Sequence, residues 1–135
     1  MLTDTLIATV LGLPEEVRVA LLSVPGNGLW IRAKSYGMSP SVVWFDAPPP
    51  ARETDKRDFW MPSDPLAILS VASDLYSQTA RGRDCWPHAA RAIGKRWVLY
   101  LMATDANGES RAVVSAENVD PLAAAVEVLR EVCRG

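Results

Sequence analysis

A chain of 135 residues with 49% hydrophobic and 22% charged residues can bury a sizeable core, which excludes a disordered segment and fits a single domain over residues 1–135. A formal net charge of −2 argues against a dedicated duplex-DNA binder, and no run of about 18 apolar residues is present to span a membrane. Two cysteines, Cys85 and Cys133, are too few for a disulfide scaffold. They read as reduced thiols of a cytoplasmic protein, or as one bridge tying down the C-terminal helix.

The start, Met1-Leu2-Thr3-Asp4, lacks the basic residues of a secretory leader, and Gly12 and Pro14 interrupt the apolar run Leu6 to Leu13. Residues 3–11 read as a short helix. A second helix is predicted from Pro14 to Val24, with Glu15 and Glu16 beside its positive end and Pro25-Gly26 after its last turn. That placement accounts for the paired carboxylates without catalysis. Gly26-Asn27-Gly28 reads as a turn, because it lacks the length, lysine and hydroxyl of a phosphate loop. Strands are predicted at 29–34 and 41–46, joined through Gly37 and Pro40. Residues 47–58 then form a loop with three prolines followed by six charges in seven residues, and Arg57 to Met61 reads as a short edge strand.

Ser63-Asp64-Pro65 opens a helix whose stripe is Leu66, Leu69, Ala72, Leu75 and Tyr76, widened by Ile68 and Val71 and stopped by Gly82. Residues 96–104 and 110–116 flank Asp105-Ala106-Asn107-Gly108, a strong hairpin signal. Asp120-Pro121 caps a last helix, with Leu122, Ala125, Val126, Leu129, Val132 and Cys133 on one face and Glu127, Arg130, Glu131 and Arg134 on the other. The fold class is therefore α+β: a mainly antiparallel sheet of two hairpins packed against three or four helices. Both halves contain a Trp-bearing strand, a Val-Val strand and a helix opening Asp-Pro-Leu-Ala (64–67 and 120–123). This describes either a ββα-type repeat or two independent uses of a good helix start.

Residues 29–97 carry a charge of +3 between flanks of −2 and −3, and the cations concentrate in residues 81–97. There Arg81, Arg83, Arg91, Lys95 and Arg96 face one Asp84, with Trp86 and Trp97 interleaved. Guanidinium forks and aromatic faces suit phosphate contacts and base stacking, and equally suit acidic protein surfaces. With Pro87 starting a helix to Lys95, His88, Arg91 and Lys95 would line one side. A solvated helix face over core tryptophans is the plain alternative.

The catalytic inventory is thin. Cys85-Trp86-Pro87-His88 supplies a Cys-x-x-His pair, but the chain holds only three Cys or His side chains in all, too few for a structural zinc site. A Cys85/His88 thiol dyad needs the chain to turn between them and a third group to orient the histidine.

The strand-hairpin-helix unit at residues 96–134 resembles the small sheet-plus-helix modules at the N-termini of tyrosine integrases, which lay a sheet in the DNA major groove. Its strands display Val98, Leu99, Leu101 and Met102, and only Arg96 and Arg111 are placed to touch phosphate, so the chain is not assigned to that family. The sequence thus points to a small non-catalytic interaction protein, a regulator, inhibitor or immunity-type factor. Arg81, Arg83, Trp86, His88, Arg91, Lys95 and Arg96 are its expected binding residues. Another protein is the expected partner, no cofactor, metal or membrane is implied, and a homodimer is compatible. The alternatives are a weak nucleic-acid module on the same patch and a thiol enzyme at Cys85/His88.

Overall fold

The computed structural model describes residues 3–32, 40–50, 57–78, 85–91 and 94–134, with 88–91 described by their backbone. Among these residues lie four helices and two three-stranded antiparallel sheets, an α+β architecture. The chain gathers into two compact units, Met1–Asp64 and Pro65–Gly135. No helix among the described residues is long and apolar enough to cross a membrane.

In the first unit, helix α1 (Asp4–Leu11) begins where the Thr3 hydroxyl accepts the Leu6 N–H at 3.1 Å, satisfying one of the donors a helix start leaves open. Helix α2 (Glu15–Leu22) follows Pro14, whose fixed φ suits a helix entry. Leu6, Val10, Leu13, Val17 and Leu21 recur at helical spacing and are buried.

The sheet of this unit has the order β2-β1-β3, from β1 (Gly28–Arg32), β2 (Ser41–Phe45) and β3 (Phe59–Pro62). The expected hairpin of the first half is present, with Trp30 opposite Val43 and Arg32 opposite Ser41. The short strand after the charged loop is also present, and it is a sheet edge by pairing. All four of its residues are nevertheless buried, and α2 packs on it. Gly28 permits this pairing: a Cβ there would collide with the Met61 carbonyl oxygen and stand 2.9 Å from Trp60 Cζ2. Beside the sheet, the buried Asp58 carboxylate faces Arg32 Nε at 3.8 Å. Of the charged loop, residues 51–56 lie outside the described set.

In the second unit, helix α3 (Pro65–Ser77) packs on α4 (Pro121–Arg134) and on β4 (Cys85–Arg91). The remaining strands are β5 (Trp97–Thr104) and β6 (Ser110–Asn118), in the order β4-β5-β6. The turn between β5 and β6 closes as the Asn-Gly signal requires. Gly108 takes φ 81°, and the Asp105 carboxylate accepts the Asn107 and Glu109 N–H groups at 2.9 and 3.0 Å. Asp120 caps α4 by accepting the Leu122 N–H at 3.0 Å. Ala124, Ala125, Val126, Val128, Leu129 and Val132 of α4 are buried. On α3 the buried set is Ile68, Leu69, Val71, Ala72 and Ser73, whereas Leu66 is exposed, so the core stripe is rotated from the one read from the sequence.

The two halves correspond only in part. Each sheet has the Trp-bearing strand in its centre and the Val-Val strand at one edge. The third strand follows the hairpin in the first unit (β3) and precedes it in the second (β4).

Candidate functional site

The basic Trp-bearing segment forms the edge of the second sheet. The helix from Pro87 that would align His88, Arg91 and Lys95 does not form over the described residues: Cys85–Arg91 is a strand paired along its whole length with β5. Pro87 carries the local signal of a helix start, but pairing with β5 overrides it. An edge strand tolerates proline, whose missing N–H costs no ladder bond where it turns away from the neighbouring strand. The consequence for the site is geometric. His88, Arg91 and Lys95 do not share a helix side. His88 stands in register opposite Tyr100, Arg91 opposite Trp97, and Lys95 lies in the turn between the strands.

The sheet has two unlike faces. Along β5, Leu99, Leu101 and Ala103 are buried, on the side where α3 and α4 pack. Val98, Tyr100, Met102 and Thr104 alternate with them and are only half-buried, which marks the opposite, open face. Trp86 pairs with Met102 and so belongs to the open face, where it is 39% exposed. From Trp86 the face runs about 17 Å along the strand to the hairpin end. There Lys95 and Arg96 are exposed, following Gly94. Gly94 and Lys95 both take positive φ, 83° and 64°, a conformation that lysine seldom adopts.

Arg96 is not an open cation. Its Nε lies 2.9 Å from Glu117 Oε1, and Glu117 is the cross-strand partner of Val98 on β6. The structure therefore places Trp86 toward one end of the β4 edge and Lys95 and Arg96 at the hairpin end about 17 Å away, with His88 and Arg91 on the strand between them. Arg81 and Arg83 lie outside the described residues. Tyr100, Met102 and Glu117 complete the face and were not singled out from the sequence. The two-residue period of the strand read at 96–104 puts Tyr100 and Met102 on one face, but the run is apolar on both faces, so its sequence does not say which face is open.

The thiol dyad lacks the turn it needs. Cys85 and His88 are three residues apart in an extended strand, about 10 Å along the backbone. The Cys85 carbonyl instead accepts the Ser73 hydroxyl at 2.9 Å, tying β4 to α3. Neither Cys85 nor Cys133 is in a disulfide, and no cluster of metal-ligating side chains occurs among the described residues.

Comparison with family models, with curated proteins and with solved structures finds no match to this chain.

Proposed function

We propose that this chain is a non-catalytic interaction protein, a regulator, inhibitor or immunity-type factor, that binds another protein through the β4 edge and open face of its second sheet. The observation that carries the reading is Trp86, an indole 39% exposed at a sheet edge and continuous with half-buried Tyr100 and Met102. Large exposed aromatic side chains are the usual anchors of protein interfaces, since they bury much area at little entropic cost. Lys95, exposed at the hairpin end, favours a partner surface with acidic groups around an apolar centre. A cytoplasmic location, with Cys85 and Cys133 as reduced thiols, goes with this reading.

A nucleic-acid reading draws on the same aromatic residues, which could stack on bases. The engagement of Arg96 by Glu117 and the net charge of −2 weigh against it, because phosphate binding draws on uncompensated cations.

The test is photo-crosslinking in the native host, with a benzoylphenylalanine replacing Trp86 and, in a control, replacing Val19, which is more open, at 52%, on α2. The reading expects one discrete protein adduct from position 86 and none from position 19. Adducts identical at both positions, or adducts only to nucleic acid, would overturn it.

A further inference from the structure

The first sheet has an apolar edge that the proposed binding face does not use. Burial falls steadily across it. Phe59, Trp60 and Met61 of β3 and Trp30 and Ile31 of β1 are buried, while their row-mates on β2 are open: Val42 36%, Val43 44% and Trp44 53% exposed. Val42 and Trp44 lie on one face of the sheet and Val43 on the other, so β2 displays apolar side chains on both faces at once. Among the described residues no strand pairs with its outer edge. The strand, Ser41-Val42-Val43-Trp44-Phe45, contains no charge and no proline, the devices that normally blunt an exposed edge.

We infer that β2 is a self-association site, where two copies of this chain join antiparallel through their β2 edges about a two-fold axis at Val43. A matching strand must have an unpaired edge, apolar side chains on both faces and no charge at its centre. β2 meets that specification for itself. With the axis at Val43, Val43 faces its own copy, and Val42 faces Trp44 of the second copy, twice over. Aromatic and β-branched residues placed opposite one another are favourable cross-strand pairs. No like charges meet within the strand, and a net charge of −2 per chain gives little general repulsion. The contact also closes. The other edge of the sheet, β3, is buried over its whole length, so a head-to-tail β2-to-β3 chain of copies has no free acceptor. An isologous dimer with one six-stranded sheet is the expected product.

The size of the patch sets the strength. The exposed parts of Val42, Val43 and Trp44 amount to roughly 250 Å² per copy, against about 800 Å² per partner in a standard stable interface. The dimer is therefore weak and concentration-dependent, below the size class of stable interfaces.

Sedimentation equilibrium of the full chain from about 5 to 500 μM, a range in which weak association shows as a concentration-dependent mass, tests this. Val43→Lys and Val43→Glu each place two like charges on the axis and should each weaken association at least about 10-fold. An equimolar mixture of the two should recover a heterodimer, because opposite charges then meet. Val43 is open to solvent, so circular dichroism should show both variants folded; a variant that unfolds instead overturns the exposed-edge description itself. The inference fails if the unaltered chain stays monomeric throughout, if Val43→Lys associates like the unaltered chain, or if the mixture does not recover. None of these outcomes depends on the Trp86 surface, which lies on the other sheet.

Discussion

Truncating Leu129 examines the packing of the second unit at a point where the magnitude can be worked out. Leu129 is fully buried on α4, among Ala125, Val126, Val128 and Val132, and α4 packs on α3, β5 and β6. Leu129→Ala removes three carbon groups, worth about 0.8 kcal/mol each in transfer from water, or roughly 2.5 kcal/mol. It also leaves a void of up to about 80 Å³, which at about 24 cal/mol per Å³ adds up to roughly 2 kcal/mol if the neighbours do not relax. The expected loss is thus about 2.5–4.5 kcal/mol. In urea denaturation this lowers the midpoint with the slope m unchanged, and in thermal scans it lowers Tm by about 10–15 °C. Val119→Ala, at a position 63% exposed just before α4, serves as the control and should fall within about 0.5 kcal/mol of the unaltered chain. A loss below about 1 kcal/mol at Leu129, with m unchanged, would refute the placement of the α4 stripe in a close-packed core.

Two further substitutions probe the first unit. Gly28→Ala should cost about 1–3 kcal/mol by chemical denaturation, because its Cβ has no room between the Met61 carbonyl and Trp60; an unchanged midpoint would mean that β1 and β3 are not so closely paired. Arg18 is buried on α2, and among the described residues only its Nη2 has a carboxylate, Glu15 at 3.5 Å, while Nε and Nη1 have no hydrogen-bond partner. A half-satisfied buried cation is poorly tolerated, so Arg18→Met should be neutral or stabilising by about 1 kcal/mol, read as a raised or unmoved urea midpoint. A fall of more than about 1 kcal/mol would contradict that account of Arg18.

The elements legible in the sequence are those whose signals are local. Asp120-Pro121, Asn107-Gly108 and the Glu15-Glu16 helix start each specify their structure through a cap, a turn conformation or a dipole within a few residues. Strand β4 was illegible because its cause is distant. Cys-Trp-Pro-His-Ala-Ala-Arg has poor strand propensity and becomes a strand by pairing with Trp97 to Ala103. The openness of β2 was hidden for a related reason. Val-Val-Trp-Phe is a continuous apolar run, which reads equally as a buried strand, and only its place at the end of the β2-β1-β3 order leaves it uncovered. In the candidate site, the composition points to Trp86, Lys95 and Arg96 as a basic, aromatic segment, and the structure supplies their place at the sheet edge and hairpin end. The ion pair that occupies Arg96 joins residues 21 apart, beyond the reach of any pattern along the chain.

The central claim, that the open face of the second sheet binds a protein, is tested most directly by the affinity of the crosslinked partner for three variants, measured by calorimetry at low and moderate salt. Trp86→Ala should weaken binding by about 30-fold or more, as expected of a buried aromatic anchor. Lys95→Asn, which keeps a residue tolerant of positive φ in the turn, should weaken it by a few fold, with a larger effect at low salt. Arg111→Glu, on the opposite edge of the same sheet, should bind like the unaltered chain. Equal effects at Trp86 and Arg111 in folded variants, or a Trp86→Ala chain that binds undiminished, would contradict the account.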